Sequence, residues 1–188
     1  MPLDLGAKGS CQIGGNLSTN AGGIHFIRHN SLHANCIGLK AVLPSGEILD
    51  NITTLRKDNT GYDLKHLFIG AEGTLGVITE CAILCPPMPR SRQLAMVGCN
   101  SFDDVVEILK TAKVQLSDIL QACEFMDREA MNLVAKKYGI EPLEAEYPFY
   151  QILEVASNND PEVVPEDSER LIEFLDIIGD KIEDGVVP

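Results

Sequence analysis

Tryptophan is missing from this chain, and all aromatic residues together supply only 5% of its 188 positions. Any core must therefore be built from aliphatic side chains. No apolar run approaches the roughly 18 residues that a membrane-spanning helix needs, so no membrane span is expected. A basic excess is missing too. The formal net charge is −13, and a surface of that sign repels phosphate backbones, which argues against nucleic acid as a partner. None of the six cysteines, at 11, 36, 81, 85, 99 and 123, falls in a Cys-x-x-Cys pair. Neither Gly-x-Gly-x-x-Gly opening a long helix nor Gly-x-x-x-x-Gly-Lys-Ser/Thr occurs, which disfavours a Rossmann dinucleotide site and a phosphate-binding P-loop. The first residues, Met1-Pro2-Leu3-Asp4-Leu5, lack both the basic and apolar segments of a secretory leader and the Arg-rich character of a transit peptide. They read as the interior of a domain, with residues 2–10 as a strand end and loop that has nothing before it to pair with.

What is present fits a globular protein of one large or two small domains: 45% hydrophobic and 23% charged residues. The acid is uneven. Residues 141–188 hold 14 of the 28 Asp and Glu against only Arg170 and Lys181, which leaves 14 acids and 13 bases in the first 140 residues. A solvated acidic face explains this. Cys81 and Cys85 lie four apart in an apolar, strand-like run, which suits buried thiols better than metal ligands. His25, His29 and His33 stand at helical spacing, but Gly22-Gly23 before them and Asn30-Ser31 between them argue for a loop. No Cys or carboxylate ligand lies near, so no metal site is expected there.

Local signals set the elements. Residues 10–35 are rich in glycine and asparagine and read as functional loop. Residues 36–43 form an apolar strand, Pro44-Ser45-Gly46-Glu47 a turn, and Ile48-Leu49 the start of a return strand, together a hairpin. A short helix is expected over 63–68 and a strand over 77–84. Pro86-Pro87-Met88-Pro89 can continue neither sheet nor helix and marks a domain boundary. Beyond it come a strand over 92–98 and a helix capped by Ser101 with a stripe of Phe102, Val105, Val106 and Leu109. A strand follows over 119–125, then a helix capped by Asp127 and stopped by Gly139. A strand over 149–156 and a helix carrying Leu171, Ile172, Leu175 and Ile178 complete an α/β or α+β sandwich with helices on one face.

Two stretches carry chemistry. In Gly14-Gly15-Asn16-Leu17-Ser18-Thr19-Asn20-Ala21-Gly22-Gly23, glycine pairs flank an amide-bearing centre. Glycine lets the backbone approach a ligand closely, exposed N–H groups can form a nest for a pyrophosphate, and Asn16, Thr19 and Asn20 add donors and acceptors. A long surface loop fits this composition equally well. In Gly70-Ala71-Glu72-Gly73-Thr74-Leu75-Gly76-Val77-Ile78-Thr79, glycine recurs every third residue before a strand. Taken alone, it is best read as a glycine turn feeding a buried strand.

These two runs, with Arg56-Lys57-Asp58-Asn59-Thr60-Gly61-Tyr62-Asp63-Leu64 between them, closely resemble the vanillyl-alcohol-oxidase-like, or PCMH-type, flavoprotein family. The likeness is to its D-2-hydroxyglutarate dehydrogenases and their D-lactate- and glycolate-oxidising relatives, a branch that Cys123-Glu124-Phe125-Met126-Asp127 also resembles. It covers essentially the whole chain and weakens after about residue 158. It implies an α+β fold: the second subdomain of a PCMH-type FAD-binding domain (1–87, its C-terminal part), then the N-terminal part of a cap or substrate domain (88–188) built on an antiparallel sheet with helices on one face. It implies FAD as cofactor, lined by Gly14, Gly15, Asn16, Thr19, Asn20, Ala21, Gly22 and Gly23, and again by Glu72, Gly73, Thr74, Leu75, Gly76, Val77 and Ile78. It further implies a small 2-hydroxyacid substrate, an electron-carrier flavoprotein as acceptor, and a mitochondrial location.

One departure is local: Arg28-His29-Asn30-Ser31 stands where the family usually has Arg-Tyr-Gly-Ser, and Asn is the residue that best replaces Gly at positive φ. The larger departures are segments not found here. Relatives carry an upstream glycine loop, a downstream Arg segment, and a His-containing stretch that binds a divalent, zinc-type metal. No catalytic or metal role is therefore assigned to any residue here, and this polypeptide is expected to be inactive alone. Arg28, Arg56 and Lys57 are read as surface or loop-positioning residues rather than carboxylate clamps.

Overall fold

The computed structural model describes residues 1–159 and 166–187, which divide into two compact units, Met1–Pro86 and Pro87–Pro188.

Unit 1 is built on a three-stranded antiparallel sheet of order β2-β1-β3, with β1 at Cys36–Val42, β2 at Ile48–Asn51 and β3 at Val77–Ile83. The hairpin turn closes as its sequence dictates: Gly46 takes φ 86°, and Leu43 N–H donates to Glu47 O at 2.9 Å. Four short helices frame the sheet: α1 (Ile13–Ser18), α2 (Phe26–His29), α3 (Leu32–Asn35) and α4 (Lys65–Phe68). The first three replace the loop expected over 10–35. They are one to two turns long, held by contacts from outside themselves rather than by helical propensity. Asn35 Nδ2 ties two of them together by donating to His29 O and Ser31 O. Asn30, between α2 and α3, takes φ 58°, ψ −165°. The positive φ anticipated there is present, but with a ψ that glycine tolerates far better than asparagine. Leu17, Leu32, Leu39, Ala41, Phe68 and Ile69 form most of the core, which is aliphatic but for Phe68.

The opening segment is not a strand end. Pro2 is buried, residues 6–10 turn through backbone bonds such as Lys8 N–H to Leu5 O, and Ile24 N–H donates to Asp4 O at 3.2 Å. Cys81 is half-buried and Cys85 exposed. The expectation of two buried thiols fails at Cys85, which follows the end of β3 and precedes Pro86 and Pro87 rather than lying in the sheet.

Unit 2 is an antiparallel sheet of order β5-β6-β4-β7: β4 is Ser91–Cys99, β5 Leu120–Asp127, β6 Phe149–Ser157 and β7 Asp184–Val186. β4 and β6 pair without a register break from Ser91 opposite Ser157 to Cys99 opposite Phe149. Three helices accompany them: α5 (Phe102–Gln115), α6 (Arg128–Tyr138) and α7 (Glu166–Ile177). Ser101 Oγ accepts from Asp104 N–H at 3.1 Å, Asp127 Oδ1 from Ala130 N–H at 2.8 Å, and Gly139 ends α6 at φ 67°. Side chains alternate across the sheet. Ala95, Val97, Cys99, Leu153 and Val155 pack against Val105, Ile108 and Ala112 of α5 and Leu171 and Phe174 of α7. The other face is not bare. Met96 and Tyr150 pack there with Met131 of α6 and Leu143, a layer the expected arrangement did not include.

Candidate functional site

The two glycine stretches of unit 1 fold against each other. The C-terminal carbonyls of a short helix have no partners within it, and the second stretch supplies donors to α1: Gly70 N–H to Leu17 O at 3.0 Å and Glu72 N–H to Ser18 O at 2.9 Å. Gly70, Glu72 and Gly73 take φ of 83°, 51° and 79°, which lets the turn fold back onto the helix. Thr74 Oγ1 closes this turn by donating to Ala71 O at 2.6 Å. At the other end of α1, a Cβ added to Gly14 would stand 3.5 Å from Ile78 O of β3. Residues 14–20 and 70–78 therefore form one wall.

Part of this wall is bare. Nothing lies within 4 Å of where a Cβ on Gly15 would be. Ile13, Leu75 and Val77 are 38%, 46% and 66% exposed, high for apolar residues. An open groove of about 710 Å³ runs along Ile13, Gly14 and residues 78–81, beside the edge strand β3. Side-chain-free backbone and exposed aliphatic groups suit the surface of a flat, conjugated ring system. The residues present fit a flavin.

Other expected site residues are committed to the fold. A Cβ on Gly23 would fall 2.1 Å from Asp4 O, and one on Gly76 2.6 Å from Val42 O. The close approach these glycines permit is already taken by the chain's own backbone. Gly22 lies against the Phe26 ring. Ala21 links α1 to α3 by accepting from Leu32 N–H at 3.1 Å and donating to Asn16 O at 2.8 Å. The polar side chains are also engaged: Asn16 Nδ2 reaches Cys11 Sγ at 3.4 Å, Thr19 Oγ1 donates to Gly15 O at 3.1 Å, and Asn20 Oδ1 accepts from His33 N–H at 2.9 Å.

That last bond leads to residues the sequence reading did not assign. The His33 and His66 rings meet at a tilt of 46° with centroids 3.9 Å apart. Burial, then the neighbouring His33, pushes the His66 pKa below its ordinary 6.5. Its Nε2 is enclosed and has no hydrogen-bond partner; Asp63 Oδ2 stands 3.8 Å away, too far for a hydrogen bond. Nearby, burial raises the Cys36 thiol to about 11, so it is protonated at neutral pH and no ready nucleophile. The signal for this cluster was the Asp63-x-Lys65-His66 run, whose partner His33 is 33 positions earlier.

Against known families, residues 1–51 match the model for an FAD binding domain, and residues 88–183, just over half of the chain, match that for FAD linked oxidases, C-terminal domain. The chain belongs to the FAD-linked oxidase family. Within curated members, it is 50% identical over 176 residues to the mitochondrial D-2-hydroxyglutarate dehydrogenase of Rattus norvegicus, a match covering 94% of this chain and 32% of that protein. It is 46% identical over 189 residues to a putative mitochondrial D-lactate dehydrogenase of Schizosaccharomyces pombe, covering 99% and 35%. The chain thus spans about a third of the length of these relatives. A solved alkyldihydroxyacetonephosphate synthase aligns with a TM-score of 0.66 at 20% identity, over 92% of this chain and 32% of the other. That likeness supports the α+β fold of an FAD-linked oxidase.

Proposed function

We propose that this chain supplies part of the flavin wall and part of the substrate domain of an FAD-dependent dehydrogenase that oxidises D-2-hydroxyglutarate, or a related D-2-hydroxyacid, to the 2-oxoacid. The observation that carries this reading is the joining of the two glycine stretches through the Gly70–Leu17 and Glu72–Ser18 bonds. Separated stretches would offer a flavin nothing. In this reading residues 1–87 are the C-terminal part of the FAD-binding domain and 88–188 the start of the substrate domain. Residues 14–16, 19–23 and 72–78 hold the cofactor, some by contact and others, such as Gly23 and Gly76, by shaping the backbone behind it. FAD held there would supply the acceptor for the hydride lost from C2 of the hydroxyacid.

The chain's own residues have narrower tasks. Gly15 leaves the wall open to a ring, and Ile13, Leu75 and Val77 keep water from it. No acid or base of the reaction is assigned here. In the same proposal, a divalent, zinc-type metal is held by residues outside this chain. An electron-carrier flavoprotein as acceptor and a mitochondrial location go with the same proposal. The S. pombe relative's name favours D-lactate or another short hydroxyacid as the second reading.

A chimera tests this. The matching segment of the rat enzyme is replaced by this chain, and flavin absorbance and dye-linked oxidation of D-2-hydroxyglutarate and D-lactate are measured. A yellow chimera that prefers D-2-hydroxyglutarate is expected. A folded, colourless chimera would refute the wall, and a yellow one that prefers D-lactate would move the substrate to the second reading.

A further inference from the structure

The Arg56–Leu64 run is not used by the flavin wall, yet it borders an open groove of about 770 Å³ in unit 1. Arg56, Lys57, Asp58 and Asn59 line the groove on one side, and His33, Asp63, Lys65 and His66 line it as well. The acids there are hydrogen-bonded within the chain, Asp63 to a cation and Asp58 to a neutral N–H that leaves its charge in place. Asp63 accepts from Lys65 Nζ through both oxygens at 2.6 Å, and Asp58 Oδ1 accepts from Thr60 N–H at 3.1 Å. Of the bases, neither Arg56 nor Lys57 has an ion-pair partner among the described residues. Arg56, Lys57 and Lys65 set three cations against Asp58 and Asp63, so the lining of the groove carries a net charge of +1 with both histidines neutral. A guanidinium offers paired donors that match a planar or tetrahedral oxyanion, and an ammonium adds a compact charge.

We infer, against the surface role expected of Arg56 and Lys57 from the sequence, that this groove is an oxyanion subsite that takes a carboxylate or phosphate group of a small molecule, with these two residues as its charged contacts. The inference stands on the groove's own residues and does not require the flavin wall. The two sources of such a group, a dicarboxylic acid and a nucleotide phosphate, present the same chemistry to these side chains.

The intact 188-residue chain is titrated separately with glutarate and with inorganic pyrophosphate, at constant ionic strength, following the imidazole resonances of His33 and His66. A saturable shift of these resonances with at least one probe is expected. Response to glutarate alone assigns a carboxylate, response to pyrophosphate alone a phosphate, and response to both a general oxyanion subsite. Arg56→Gln with Lys57→Gln should weaken binding by about tenfold or more, the loss of charge-assisted hydrogen bonds, without lowering the melting temperature. The charge-conserving pair Arg56→Lys with Lys57→Arg guards against a folding defect and should stay within about threefold of the parent. No saturable shift with either probe, or unchanged affinity in the Gln pair, overturns the subsite. Flavin binding is read separately by absorbance, so failure here leaves the wall untouched.

Discussion

Gly76→Ala is the sharpest probe of the wall's construction. Gly76 is buried at the point where the second glycine stretch enters β3. A Cβ there would lie 2.6 Å from Val42 O, 3.1 Å from Phe68 Cε1 and 3.4 Å from Val42 C. The Phe68 ring can tilt aside, but the Val42 carbonyl cannot, because Val42 pairs with both Ile48 and Val77. Relief therefore means separating β1 from β3 at their end by several tenths of an ångström. Overpacking of this kind costs about 1–3 kcal/mol, and a strained ladder hydrogen bond adds about 1 kcal/mol. A total of about 2–4 kcal/mol in a unit of this size corresponds to a fall in its melting temperature on the order of 10 °C or more. Amide hydrogen exchange localises the effect: β1 and β3 amides should lose protection while those of Val97 and Leu153 in unit 2 keep theirs. Gly15→Ala is the control. It has open space around it and lies inside α1, so stability should hold or rise by up to about 1 kcal/mol, while flavin binding in the chimera weakens. A Gly76→Ala protein that melts within about 1 °C of the parent would refute the packing argument.

Asn30→Gly should stabilise unit 1 by about 1 kcal/mol in urea denaturation, since it relieves a positive φ at an exposed residue at a smaller entropic cost. Leu153→Ala, fully buried between β6 and the α5–α7 layer, should cost about 2–5 kcal/mol, measured by the same method. Stability should also fall with acid. The folded-state pKa of His66 lies below its ordinary 6.5, through burial and then His33, and that of His29 is lowered mainly by burial. A depressed base contributes stability that is fully present above the unfolded value and is lost as pH falls below about 6.5. His66→Gln should flatten that slope, and an unchanged slope in the variant would exclude His66 as its source.

Much of the fold was legible wherever one local signal decides an element. Gly46 marks the hairpin, Ser101 and Asp127 start α5 and α6, Gly139 stops α6, and the proline cluster falls where the chain divides into two units. The short helices α1–α3 were not legible, because four to six residues are too few to show a period. β7 was missed for a related reason: three residues, Asp184–Val186, become a strand only by pairing with β4 about 90 positions earlier. At the candidate site the sequence shows where glycine stands but not what approaches it. Gly15 and Gly23 look alike in the sequence. One opens to solvent, and the other is filled by the Asp4 backbone.

The two-sided burial of the unit 2 sheet has a consequence for how its strands find their alignment. Ordinarily a slip of one residue exposes an oily row to water, and polarity alone rejects it. From Leu94 to Cys99 both rows of β4 are apolar, so discrimination there must come from bulk. Ala95, Val97 and Cys99 are slim enough for the paired helices, whereas the opposite row needs the length of Met96 and then a vacancy at Gly98, where a Cβ would meet the Tyr147 ring at 2.3 Å. Shifting β4 by a single place would drive a side chain into that ring, so steric mismatch proofreads the pairing that polarity cannot.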